Sequence, residues 1–167
     1  MKLLTKRLVL KPISEDDVQD ILTIRSNATI NKYIGRKPPK SIEDALDFIL
    51  KIKNNNQKIV GFFGITLKNN SHLIGTICLW NFSKDQKTAE LGYEMLPEFH
   101  GNGFMFEALK AILNYGFNDL SLLNIEAFTH KNNLKSIQLL EKFSFALNEN
   151  RVDEDVKENI IFELNKV

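Results

Sequence analysis

A chain of 167 residues with 43% hydrophobic and 26% charged residues can bury a core of its own and has the balance of a soluble globular protein, not of a disordered or membrane-integral one. Its 22 Lys and Arg nearly cancel its 21 Asp and Glu, so no bulk charge favours nucleic acid or a membrane surface, and any anion must be met locally. The lone cysteine, Cys78 between Ile77 and Leu79, excludes an intramolecular disulfide and reads as an ordinary buried thiol.

Charges at Lys2, Lys6 and Arg7 stand where an export signal would need apolar residues, which with Cys78 points to a reducing cytoplasm. Residues 4–11 alternate Leu8 and Leu10 with Arg7, Val9 and Lys11 up to Pro12, predicting a first strand. Ser14-Glu15-Asp16-Asp17 supplies a serine N-cap and an acidic first turn, and Val18, Ile21, Leu22 and Ile24 keep a helical period to about Ser26. After Pro38-Pro39, Ser41-Ile42-Glu43-Asp44 repeats that signal, and Ala45, Phe48, Ile49 and Ile52 predict a second helix ending at Asn54-Asn55-Asn56.

Three β-rich segments, 58–67, 73–82 and 88–96, with polar turns at 68–71 and 83–86, predict an antiparallel meander. A third helix is expected from Gly103 to about Asp119, a strand over 122–129, a fourth helix over 133–143, and strands over 145–148 and 159–164. With no repeat or linker to divide it, the order predicts one domain over residues 1–167. It is an α/β domain with a mixed central sheet of about seven strands flanked by about four helices.

The segment that carries chemistry is Leu96-Pro97-Glu98-Phe99-His100-Gly101-Asn102-Gly103-Phe104-Met105-Phe106-Glu107-Ala108, between the third meander strand and the third helix. Two glycines one residue apart allow a sharp turn that gathers amide hydrogens, and the following helix adds its positive end, which together can cradle a pyrophosphate. By spacing alone such a glycine pair more often marks only a tight strand-to-helix turn. A P-loop is excluded by the missing Gly-Lys-Ser/Thr, and a dinucleotide loop by the antiparallel context and the missing third glycine.

The run Ala89-Glu90-Leu91-Gly92-Tyr93, Pro97, His100-Gly101-Asn102-Gly103-Phe104-Met105 and Glu107-Ala108 resembles motif A of the GNAT N-acetyltransferases, in the form of their ribosomal-protein N-terminal (RimJ/RimL-like) branch. Thr5 to Pro12 resembles that branch's opening strand, Leu73-Ile74-Gly75-Thr76-Ile77 its second meander strand, and Asn132 to Ile137 with Leu140 to Phe145 its motif B. The resemblance runs in chain order from residue 5 to about 145. It implies the GNAT fold and transfer of an acetyl group from acetyl-CoA, the co-substrate, to a primary amine. The backbone amides of Gly101, Asn102, Gly103, Phe104, Met105 and Phe106 would hold the coenzyme A pyrophosphate. Met95 and Leu96 would pair with the pantetheine arm like an extra strand, and Asn133 would bond its pantetheine or acetyl end. In this fold two central strands splay apart, and the thioester lies in the gap.

Several positions depart from the family pattern. His100 replaces the usual Gln or Arg and either reaches a phosphate or stays an exposed loop residue. Met105 replaces a small residue and is expected to pack beneath the loop. Ser144 replaces a glycine, which requires that the turn there not need a positive φ. Leu140 replaces the tyrosine that protonates the departing thiolate in many members. In the RimL-like branch a serine takes that role, and Ser136, one turn after Asn133, occupies its place; the alternative is a hydroxyl bonded only to a carbonyl one turn back.

For the base, strand alternation puts Glu90, Gly92 and Glu94 on one face and Leu91, Tyr93 and Met95 on the other. Glu90 is the first choice to take the amine's proton, with a salt-bridged or rim position as the alternative and still more so for Glu94. A backbone N–H near Met95 would stabilise the thioester oxyanion. Cys78 is no nucleophile candidate, and His72, His100 and His130 lack metal-ligand spacing, so no metal is expected.

The acceptor side should be built from the first two helices and their connection, where Tyr33, Arg36 and Lys37 precede Pro38-Pro39, with His130 at its border or simply on the surface. The acceptor is either a protein N-terminal α-amine or a small amine or amino-acid-like metabolite. A non-catalytic acyl-CoA sensor is the rival reading. No direct nucleic-acid or membrane partner is expected, and a homodimer is compatible with the chain.

Overall fold

The opening segment, expected as one strand, is a hairpin in the computed structural model, which describes residues 1–55 and 61–167. Strands β1 (Leu3–Leu4) and β2 (Leu8–Pro12) pair antiparallel. Thr5 closes the turn: its amide donates to the Leu8 carbonyl at 3.1 Å and its hydroxyl accepts from the Leu8 amide at 2.9 Å. Alternation alone cannot reveal this, because a side-chain-closed turn leaves the apolar pattern on either side intact.

A short 3-10 turn, Glu15–Asp17, leads into α1 (Val18–Ser26), so the acidic residues lie just before the α-helix and not in its first turn. Helix α2 (Ala28–Asn31) was not expected; four residues are too few to show a period, and Asn27 caps it through the Ile30 amide at 3.0 Å. Helix α3 (Ile42–Asn54) starts as expected, with Ser41 capping the Asp44 amide. The meander follows as β3 (Phe62–Leu67), β4 (Leu73–Trp80) and β5 (Thr88–Met95); the expected start of β3 at Lys58 lies outside the described residues. Helix α4 (Phe104–Asn114) continues as a π turn over Tyr115–Asp119, then come β6 (Asn124–His130), α5 (Leu134–Lys142), β7 (Ala146–Leu147) and β8 (Asn159–Asn165). The totals are eight strands and five helices among the described residues, against about seven and about four expected.

All the strands form one mixed sheet in the order β1-β2-β3-β4-β5-β6-β8-β7. Helices α4 and α5 cover one face with Leu109, Ile112 and Leu140 over Leu8, Leu10, Ile77, Leu79 and Leu91. Helices α1 and α3 cover part of the other with Ile21, Ile24, Ala45 and Ile49, joined by Leu73 and Leu96. A bulge at Ile74, where Ile65 pairs with Gly75 but Thr66 with Leu73, shifts the alternation by one residue, so that Ile74 shares a core with Ile77 while Leu73 joins the other.

Strand β5 is parallel to β6 through three pairs only, Thr88–Asn124, Ala89–Ile125 and Glu90–Glu126. Beyond Glu90 the ladder stops although both strands continue, so a seam opens in the middle of the sheet.

The turn after α5 corrects the expectation for Ser144. Its φ is +63°, so the position does need the left-handed region. Ser144 N–H donates to the Glu141 carbonyl at 2.9 Å and Phe145 N–H to the Leu140 carbonyl at 3.1 Å, a Schellman motif with buried Leu140 and Phe145 packed in the same core. Serine holds a glycine conformation here at a cost of about 1–2 kcal/mol.

Candidate active site

Gly101 and Gly103 have φ values of +78° and +74°, so both glycines are required by backbone conformation. Space is not the constraint: a side chain at Gly101 would meet nothing within 4 Å, and one at Gly103 only Arg7 Nη2 at 3.5 Å. The six amides from Gly101 to Phe106 find no acceptor among the described residues, and the first amide bond of α4 runs from Glu107 to the Gly103 carbonyl at 3.0 Å. This concentration of unpaired N–H groups with a helix dipole behind it suits a phosphate-like anion. Met105 is partly buried against the core beneath the loop, while Phe106 is exposed and lies 4.5 Å from the Phe143 ring, centroid to centroid.

Two residues hold this loop, Glu107 and Arg7, both quoted in the family motifs but given no role by the sequence. Glu107 accepts from Thr5 Oγ1, the Arg7 amide and Arg7 Nε at 2.5, 2.7 and 2.7 Å, which ties the β1–β2 turn to the first turn of α4. Arg7 also donates to the Asn102 carbonyl at 2.9 Å and lies over the Phe104 ring at 4.6 Å, which adds a positive charge beside the unpaired amides. A separation of about 95 residues hid this contact; the only signal was a basic residue at the end of a turn.

Along the seam, His100 Nε2 lies 2.8 Å from the Met95 carbonyl, so its ring folds back on β5 instead of pointing at the amide cluster. Leu96 is less available than expected for strand-like pairing. Its amide donates to the Ile74 carbonyl at 2.9 Å, its carbonyl accepts from the Phe99 amide at 3.0 Å, and its side chain is buried. Met95, whose side chain is also buried, retains its seam-side carbonyl, shared with His100.

Across the seam, Asn133 caps α5 by accepting from the Ser136 amide at 3.3 Å. The Ser136 hydroxyl does not turn back to a carbonyl. It lies 2.8 Å from Tyr93 Oη and so bridges α5 to β5. Burial pushes the Tyr93 phenol up to about 12 against the opposing effect of this hydrogen bond, which keeps it a neutral donor at physiological pH. Leu140 is fully buried in the core, so the residue at the usual tyrosine position makes no polar contribution. Tyr93 was legible as a motif residue, but its partnership with Ser136 was not.

The opposite face of β5 carries the carboxylates. Glu90 sits on the last paired rung before the seam, half-buried, opposite Trp80 and with the Asn81 amide group donating to it at 3.3 Å. Burial pushes its carboxyl up to about 7 against the Asn81 hydrogen bond, and the charges of Asp153 and Glu126 add to the rise. A group that titrates there can both take and release a proton near neutrality.

Gly92 packs directly on Cys78, whose Sγ would lie 3.1 Å from any Cβ there, and Glu94 follows. Glu94 is paired, as the structural alternative held: Arg36 Nη1 lies 2.7 Å and Arg25 Nη1 3.9 Å from its oxygens. Burial and the Glu94 charge push the Cys78 thiol up to about 12, which leaves it inert. His130 packs against Tyr33 with centroids 5.0 Å apart, and so joins the end of β6 to the segment after α2. Lys37 is exposed. Among the described residues no cluster could hold a metal ion, and no helix is long and apolar enough to cross a membrane.

Comparison with known proteins agrees with this geometry. The family described as the acetyltransferase (GNAT) domain matches residues 7–146. The uncharacterized N-acetyltransferase YoaA of Bacillus subtilis strain 168 is 35% identical over 142 residues, 84% of this chain and 80% of that protein. The spermidine N(1)-acetyltransferase of Escherichia coli K12 is 22% identical over 139 residues, 83% of this chain and 72% of that protein. RimL, a ribosomal L7/L12 α-N-protein acetyltransferase solved with coenzyme A, shares the fold with a TM-score of 0.84 at 15% identity, covering 99% of this chain and 98% of its own. A chain with this motif, this open-seamed sheet and these relatives belongs to the GNAT family and is an acetyl-CoA-dependent N-acetyltransferase.

Proposed function

We propose that the protein, acting as a single domain over residues 1–167, transfers acetyl directly to a primary amine, with a protein N-terminal α-amine as the acceptor. The observation that carries this reading is the placement of Glu90 where the seam begins, with its carboxyl near 7. Acetyl-CoA supplies a thioester already reactive towards a neutral amine. The amides from Gly101 to Phe106 and Arg7 bind its pyrophosphate, and Met95 and Asn133 line its arm. Leu96 contributes packing, and His100 positions the Met95 carbonyl.

Glu90 takes the amine's proton directly or through one water, which frees the lone pair for the new C–N bond. As the C–S bond breaks, the nitrogen loses its remaining surplus proton to water, Ser136 gives its proton to the departing sulfur, and the hydrogen-bonded Ser136–Tyr93 pair regains that proton from water when coenzyme A leaves. An N–H near Met95 stabilises the oxyanion in between.

The test is coenzyme A release with a panel of N-terminal peptides and small amines, preceded by thermal shift with acetyl-CoA. Acetyl-CoA at 100 times its dissociation constant should stabilise the protein by about 2.7 kcal/mol. Absence of any shift rejects the donor site, and a shift without turnover of any amine rejects the transferase reading in favour of a sensor.

A further inference from the structure

Resting on the proposed function and deepening its acceptor side, we infer that the acceptor carries a carboxylate close to its amine, and that Arg25 and Arg36 receive it. The two arginines and Glu94 lie on the Glu90 face of β5 and carry two positive charges against one negative. Their side chains are 20%, 15% and 8% exposed, so the surplus charge is largely removed from water and yet reachable.

The pairing is also incomplete. Arg36 Nη1 takes one Glu94 oxygen at 2.7 Å and its Nε bonds Asn31 at 2.9 Å, while its buried Nη2 has no hydrogen-bond partner among the described residues. Arg25 is more open still. Its nearest Glu94 oxygen is at 3.9 Å, beyond hydrogen-bond range, and among the described residues none of its guanidinium N–H groups donates to an acceptor. Its guanidinium is held flat over the Phe48 ring at 3.7 Å, so the fork is fixed in place without being used. Burial and the neighbouring Arg36 charge push Arg25 down to about 10, as expected for a cation short of a counter-ion.

A bidentate carboxylate would satisfy these donors and cancel the surplus charge. Glu90 and Glu94 are four residues apart on one strand, about 13 Å, with only Gly92, which has no side chain, on the same face between them. That distance takes an amine with its bridging water at Glu90 and a carboxylate at the guanidinium forks. The carboxylate could come from an amino acid's own α-carboxyl or from an acidic side chain early in a peptide.

The experiment compares matched acceptors in the coenzyme A release assay: alanine against alaninamide, and the amidated dipeptides Ala-Asp and Ala-Asn. The acid of one pair should exceed its neutral partner in kcat/KM by about tenfold or more, the weight of a charge-assisted hydrogen bond. Which pair responds identifies the source. Arg25→Gln retains the Arg36–Glu94 pair and should lower that ratio several-fold, the loss falling on the acid more than on the neutral acceptor, with the acetyl-CoA thermal shift unchanged. Arg25→Lys should restore it in part.

Equal rates for acid and amide in both pairs, or an equal loss with both members in Arg25→Gln, would overturn the proposal. If no amine turns over, thermal shift in the presence of coenzyme A decides, with N-acetylalanine against N-acetylalaninamide and amidated N-acetyl-Ala-Asp against amidated N-acetyl-Ala-Asn. Stabilisation by the acid of one pair alone, lost in Arg25→Gln, supports the carboxylate site even where the transferase reading fails, and no difference within either pair rejects it.

Discussion

The loop from Gly101 to Phe106 and the Glu90–Glu94 face of β5 sit on either side of the same strand end, yet they are built in opposite ways. The loop offers backbone amides, fixed by two positive φ values and one helix terminus within six consecutive residues. The β5 face offers side chains brought from α1, the α2–α3 connection and β4, with Arg25, Arg36 and Trp80 far apart in sequence. A backbone site is set by local chain geometry and tolerates changes such as His100 and Met105. A side-chain site changes its chemistry with each substitution, and selectivity can drift there while donor binding stays constant.

The largest expected effect falls on the side-chain half. Glu90→Gln should lower kcat at pH 7 on the order of 100-fold with acetyl-CoA affinity unchanged, as measured by coenzyme A release and thermal shift. The wild-type rate should rise as pH passes through about 7, because the carboxylate is the active form, and that rise should vanish in the variant. The folded state holds this proton from the ordinary carboxylate range up to about 7, so stability is lost as pH rises through that window. Glu90→Gln should therefore melt higher than wild type above pH 7, by no more than about 1 kcal/mol because the group is only half-buried. A loss of acetyl-CoA affinity in this variant would break the division between the halves.

Next in size is Gly103→Ala, which places a side chain at φ +74°. Strain of about 1–2 kcal/mol should raise the acetyl-CoA dissociation constant about tenfold by titration calorimetry, with kcat at saturation nearly intact. Smaller still, Ser136→Ala and Tyr93→Phe should each lower kcat several-fold with little change in donor affinity. The double variant should lose little more than Ser136→Ala alone, since the two hydroxyls form one chain. Losses that simply multiply would separate Tyr93 from Ser136. The smallest effect is Ser144→Gly, which should raise stability by about 1 kcal/mol, read as a higher denaturation midpoint with nearly unchanged kinetics.

What the sequence disclosed follows the same division. The meander, α3 and the glycine loop were legible because each is written in a contiguous run whose period or cap needs no distant partner. The β1–β2 hairpin was not, since Thr5 closes it through a side-chain bond inside an unbroken apolar alternation. Neither were Arg7 on Asn102, Tyr93 on Ser136 or Arg25 over Phe48, each a contact across the fold that no spacing rule encodes. Ser144 misled for another reason: the cost of a left-handed serine is small enough for the surrounding Schellman bonds to absorb.

The short parallel ladder between β5 and β6 gives the molecule two strand edges that lie inside it. Exposed edges invite any passing strand and are a route to aggregation. Here the rims of the opening are occupied by α5, the Tyr93–Ser136 bridge and the Tyr33–His130 contact, so a folded neighbour's strand with its side chains has no way in. A feature that would be a hazard on the outside of a sheet is thus kept from other strands by the side chains that flank it.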